Sequence, residues 1–199
     1  MIINDEKKYI FIHVPRTSGT HMYHCLSGDK YDEREFGHIF SRKIKEQFPG
    51  QWKHYFKFSI VRNDFDRLHS WWFNRRYIRK SINQDFEEWL LRDPIPAIDI
   101  HANWDILNSW ETGAQRTSQL DWTRDSDGNI IVDQIIHYEN LKKDLQLLEK
   151  NIGVSFKDMP RRGPNNSVNR NYKNAYTAEM IEFVEEYHSA SLKEFGYEF

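Results

Sequence analysis

The sequence predicts an α/β protein built on a largely parallel sheet flanked by helices, and three observations carry that expectation. The runs Tyr9–Val14 ("YIFIHV") and Tyr55–Val61 ("YFKFSIV") are nearly continuous in hydrophobicity, as strands covered on both faces are. Each is followed by a polar turn and then by a segment with helical spacing. A third apolar stretch, "IIVDQIIHY" (130–138), also leads into a helical pattern, so strands and helices alternate along the chain. At 199 residues the expectation is one domain, 1–199, with a sizeable core.

The elements follow in order. After the first strand, small residues at Thr17, Ser18 and Gly19 start a helix over about 18–26. In "GHIFSRKIKEQF" (37–48), Ile39, Ile44 and Phe48 suit a short amphipathic helix, ended by Pro49-Gly50. The second strand, 55–61, runs into a long helix capped by Asn63, with Phe65, Leu68, Trp72 and Ile78 on its apolar stripe and Arg75, Arg76, Arg79 and Lys80 on a wet or ligand-facing side. Residues 83–111 hold one or two further helices broken at 93–96 ("DPIP"). "SDGN" (126–129) is a turn between "SQLDW" (118–122) and "IIVDQIIHY", both read as strands. A helix stopped by Gly153, a basic polar loop over 161–172, and a C-terminal helix capped by Thr177 complete the chain.

A formal net charge of -2 argues against general nucleic-acid binding, which needs a basic excess. The single Cys25 leaves no intramolecular disulfide or cysteine zinc cluster and reads as a small packed residue of the first helix. "MIINDEKKY" lacks the apolar core of a signal peptide and no window approaches a membrane span. A cytoplasmic protein without membrane attachment is the expectation.

The chemistry is expected at the carboxyl ends of the strands, where ligands of such sheets bind. "HVPRTSGTH" offers backbone N–H groups, small side chains and a helix start, the makings of an anion site. It lacks the first Gly and the Lys of a Walker A loop, its cation standing upstream at Arg16. Beyond the second strand, Arg62 precedes Ser70 by eight residues, a spacing that lets a strand-tip guanidinium and a helix hydroxyl share a phosphate, or equally leaves an ion-paired Arg and an unremarkable Ser.

Together the segments resemble a known family. "FIHVPRTSGT" resembles the 5'-phosphosulfate-binding loop of sulfotransferases, usually Pro-Lys-Thr-Gly-Gly-Thr, and "FKFSIVRNDFDRLHSWW" resembles their 3'-phosphate-binding segment, matched at Arg62, Asn63, Asp66, Arg67, Leu68 and Ser70. "GHIFSRKI", "IIHYENLKKDLQLL" and the C-terminal helix are similar to segments of the carbohydrate (heparan and chondroitin) branch and its bacterial relatives. Arg16 stands for the usual Lys, Asp64 for the usual Pro at the helix start, and "GAQRTSQL" only loosely matches a Pro-Gln segment near the nucleotide.

The resemblance implies a P-loop-like three-layer sandwich and transfer of the sulfuryl group of 3'-phosphoadenosine 5'-phosphosulfate to a hydroxyl acceptor, a saccharide among the candidates, leaving adenosine 3',5'-bisphosphate and using no metal. Arg16, Thr17, Ser18, Gly19, Thr20 and His21 would hold the phosphosulfate, and Arg62 and Ser70 the 3'-phosphate. Gln115 would lie near the nucleotide, and Arg162, with Arg161 and Gly163, would form a further phosphate loop or simply a solvated basic one. Arg16 would also neutralise the leaving group, and His38 would be the general base, with Glu139 and Asp32 in reserve. Arg67 reads as a structural ion-pair partner of Asp66 or Glu139. A P-loop nucleotide kinase and an inactive nucleotide-binding module are the rival readings.

Overall fold

The computed structural model describes residues 1–27, 38–91, 117–156 and 171–199. The chain divides into two compact units, Met1–Arg62 with Gln119–Asn169, and Asn63–Ser118 with Arg170–Phe199. Its elements are β1 (Ile2–Asn4), β2 (Tyr9–Ile12), α1 (Gly19–Ser27), α2 (Ser41–Gln47), α3 (Pro49–His54), β3 (Phe56–Val61), α4 (Asp64–Phe73), α5 (Phe86–Leu91), β4 (Gln134–His137), α6 (Leu141–Ile152), α7 (Ala178–Tyr187) and α8 (Ser189–Phe195).

The first unit is α/β with a four-stranded mixed sheet in the order β1-β2-β3-β4. The pairs β2/β3 and β3/β4 are parallel, Ile12 lying opposite Ser59 and Val61 opposite His137. The antiparallel edge strand β1 is an addition to the sequence expectation: "IIN" is too short to register as a run, yet it pairs Ile2 with Phe11. The two apolar runs are continuous because both faces of the sheet are buried. Tyr9, Phe11, Phe58, Ile60 and Ile136 join Met22 and Tyr23 of α1 and Leu145, Leu148 and Ile152 of α6 in one core. Ile10, Ile12, Ser59 and Val61 of the opposite face are also buried. Burying such side chains contributes roughly 1.5–3 kcal/mol each, which is why the strands form where they do. Cys25 packs at the edge of this core, and burial pushes its thiol up to about 11.

Three expectations are corrected here. Pro49 does not merely end a helix but occupies the first turn of α3, where its missing N–H costs nothing. The segment "SQLDW" is not a strand: Gln119–Trp122 is a 3-10 turn with Gln119, Leu120 and Trp122 all buried. Of "IIVDQIIHY" only Gln134–His137 is strand, although Ile130 bridges back to Arg124 around the turn, in which Gly128 takes φ +83°.

The second unit is helical in its described residues. Asn63 caps α4 as expected, its side-chain oxygen accepting from the Phe65 N–H at 3.1 Å. The helix then passes into a π-helical turn, Asn74–Ile78. The C-terminal helix is capped by Thr177 but is broken at His188 into α7 and α8. The break has a use. Asp64, fully buried, accepts from Arg67 at 2.8 and 2.9 Å and from the Ser191 hydroxyl at 2.6 Å, with His188 Nδ1 at 3.7 Å. Arg67 also donates to the Thr117 carbonyl at 2.8 Å. Its ion-pair partner is therefore Asp64 rather than Asp66 or Glu139. Phe65, Leu68, Trp71, Phe86, Trp89, Leu90, Met180, Val184 and Leu192 form the core around it. Among the described residues no helix is long and apolar enough to cross a membrane.

Candidate active site

All three parallel strands of the first unit run in one direction, so their carboxyl ends share one edge of the sheet. The segments after β2 (residues 13–20), β3 (Arg62) and β4 (Tyr138) therefore gather there. Tight coupling joins them. Arg62 Nη1 donates to the Arg16 carbonyl at 3.1 Å, and the Arg62 guanidinium lies 4.3 Å from the centre of the Tyr138 ring. The Arg62 backbone is fixed separately, because Gln119 accepts its N–H at 2.8 Å and donates to its carbonyl at 2.6 Å.

The loop itself has an unusual backbone. Arg16 and Ser18 hold φ of +68° and +75°, with Thr17 between them on the ordinary side. Left-handed geometry costs an L-residue roughly 1–2 kcal/mol. Alternation of this kind turns successive N–H groups toward one concavity, the nest that binds anions in phosphate loops. Thr17 locks the turn from inside, its buried hydroxyl donating to the Val14 carbonyl at 2.8 Å. α1 begins at Gly19, so the positive end of the helix points at the same place. Thr20 is exposed at its first turn and His21 is half-buried.

Two imidazoles flank the loop. His38 Nδ1 lies 3.1 Å from the His13 carbonyl. A carbonyl can only accept, so Nδ1 carries the proton and Nε2 is the basic nitrogen of His38. The His13 and His38 rings stand 4.1 Å apart, centre to centre. Burial above all, then His38, the chain's amino terminus and Arg16, hold His13 well below the usual 6.5, so it stays neutral.

Of the residues expected from the sequence, the first unit brings together Arg16, Thr17, Ser18, Gly19, Thr20, His21, His38 and Arg62. Ser70 is a buried residue of α4 in the second unit. Gln115, Arg161, Arg162, Gly163 and Asp32 lie outside the described residues. Glu139 falls in the 3-10 turn Tyr138–Asn140, directly after β4. Sequence reasoning missed His13, Gln119 and Tyr138. His13 sits inside an apolar run, and Gln119 has no pattern to mark it. Only Tyr138, directly after a strand end, carried a positional signal. Among the described residues no three His, Cys, Asp or Glu side chains are grouped to hold a metal ion. Compared with known proteins, the chain has no significant match among family models, curated proteins or solved structures.

Proposed function

We propose that the protein is a sulfotransferase that moves the sulfuryl group of 3'-phosphoadenosine 5'-phosphosulfate to a hydroxyl of an acceptor, a saccharide being the favoured class. The P-loop-like three-layer arrangement is part of the same reading. The observation that carries it is the loop after β2: φ alternates at Arg16 and Ser18 in the pattern of an anion nest just before α1, and Arg62 is tied to that loop's backbone. Arg16 to His21 would cradle the phosphosulfate and Arg62 would meet the second phosphate. Fixed cations and N–H donors suit sulfuryl transfer, in which a group of low charge moves between oxygens.

In the proposed step the acceptor oxygen attacks sulfur while the bond from sulfur to the phosphate oxygen breaks. His38 Nε2 takes the acceptor proton, a role that its Nδ1–H bond to the His13 carbonyl prepares. The electron pair of the broken bond stays on the leaving phosphate, where Arg16 and the loop N–H groups neutralise it.

Thermal stabilisation by adenosine 3',5'-bisphosphate, set against ATP with magnesium, tests the reading. A ligand at a hundred times its Kd adds about 2.7 kcal/mol to stability, and the bisphosphate is expected to stabilise far more than ATP. Stabilisation by ATP-magnesium alone would replace sulfotransfer with kinase chemistry.

A further inference from the structure

Gly19 ends the candidate phosphosulfate loop, and its backbone does not require glycine. The left-handed glycines of the described chain are Gly128, Gly153 and Gly196, and Gly19 is not among them. What forbids a side chain at this position is one neighbour. An ideal Cβ on Gly19 would lie 1.6 Å from His13 Nε2, 1.9 Å from Cδ2 and 2.2 Å from Cε1, so the imidazole fills the space that the glycine leaves. The ring has no easy escape. It is 7% exposed and packed against Phe11 at 5.8 Å, Tyr23 at 5.2 Å and His38 at 4.1 Å.

His13 is also a poor choice for packing alone. Its Nδ1 is buried with no hydrogen-bond partner, a cost that an apolar ring of similar size would avoid. Its carbonyl, meanwhile, holds the Nδ1–H of His38. One residue thus touches the anion loop through its ring and the proposed base through both ring and backbone.

We propose that His13 is a positioning residue that interlocks with Gly19 and thereby couples the shape of the anion-binding loop to the orientation and tautomer of His38. The inference builds on the functional reading for the meaning of His38, whereas the interlock stands on packing. Whatever displaces the His13 ring displaces both partners. The charged and titratable groups facing His13 are His38, Arg16, Tyr23 and the chain's amino terminus, so His38 is the neighbour whose state reports the disturbance.

The test uses the full chain with Gly19→Ala, His13→Ala and the double variant. Binding of adenosine 3',5'-bisphosphate, thermal midpoints and the imidazole nitrogen NMR signals of His38 are measured on each. Gly19→Ala alone is expected to weaken bisphosphate binding at least tenfold or to prevent folding. The double variant is expected to fold and to bind within about threefold of His13→Ala, because the obstacle is gone. His13→Ala keeps the carbonyl that accepts the His38 Nδ1–H, so a move of the His38 signals there, from a single Nδ1–H form toward a mixture of tautomers, reports the lost ring and not a lost acceptor. A double variant no better than Gly19→Ala, or His38 signals unchanged in His13→Ala, overturns the proposal. Failure of the wild type to bind bisphosphate would instead remove the functional reading. The midpoints and NMR signals would still decide the interlock.

Discussion

Replacing Arg62 with Ala separates binding from folding, because the structure holds the two parts of this residue by different means. Its side chain loses the charged hydrogen bond from Nη1 to the Arg16 carbonyl and its stacking over Tyr138. For a half-buried group these contribute about 1–2 kcal/mol together. Its backbone stays in place, since Gln119 bonds both the N–H and the carbonyl. A bound 3'-phosphate would lose a charge-assisted contact worth about 1.5–3 kcal/mol, or about 10- to 150-fold in Kd. Adenosine 5'-phosphate has no 3'-phosphate and should be affected far less. Calorimetry on both nucleotides at one ionic strength, alongside urea unfolding, gives the two numbers. The expected pattern is a collapsed preference for the bisphosphate with a stability loss no greater than about 2 kcal/mol. An unchanged ratio of the two affinities would refute the assignment of Arg62 to the second phosphate.

Three further outcomes follow from local geometry. Ser18→Gly removes a left-handed serine at a cost in unfolded-chain entropy of about 0.4–1 kcal/mol, against a strain of roughly 1–2 kcal/mol; the unfolding free energy from urea curves should rise by a net amount of about 0.5–1 kcal/mol. Asp64→Ala leaves Arg67 buried without its carboxylate, and unfolding curves should show a loss of about 3–5 kcal/mol; a loss under about 1 kcal/mol would deny the pair its structural role. The buried His13, facing His38, Arg16, Tyr23 and the amino terminus, stays neutral while its unfolded counterpart takes up a proton below about 6.5. Its penalty is therefore absent above that pH and grows as pH falls, by up to about 1.4 kcal/mol per pH unit. His13→Phe should flatten the stability profile between pH 6.5 and 5, and parallel profiles would contradict a neutral His13.

How much of this was legible in the sequence depends on what kind of force fixes each feature. β2, β3, the Asn63 and Thr177 caps and the Gly153 stop are local or strongly patterned, and runs buried on both faces announce themselves. "SQLDW" misleads because Leu120 and Trp122 alternate with polar residues, the period of a strand, while Gln119 is in fact turned inward to hold Arg62. Asp64 looks like an acid in the first turn of a helix, which the helix dipole alone would explain. Its full burial and its bond to Ser191 arise from tertiary packing across more than a hundred residues of chain, which no local pattern records. The π-helical turn after Phe73 and the break at His188 are likewise set by what surrounds them.

The residues of the proposed site are marked less by identity than by where they depart from ordinary economy. At Gly128, Gly153 and Gly196 the chain puts glycine where φ is positive, which is the inexpensive choice. Between His13 and Gly19 it does the reverse. Arg16 and Ser18 take the left-handed positions without being glycine, and Gly19 is glycine where its backbone is ordinary. Lys8 and Lys80 are also left-handed, but both are exposed residues outside helix and strand. The stretch from 13 to 19 combines that strain with a buried, unpartnered imidazole nitrogen. Each of these costs stability, and the core of β2 and β3 around them offers no return that a simpler loop would miss. Strain of this kind persists where surrounding structure enforces it and where function gains from it. An anion held by the loop N–H groups is a partner that would offset the cost, and His13 is the element through which its arrival would be felt at His38.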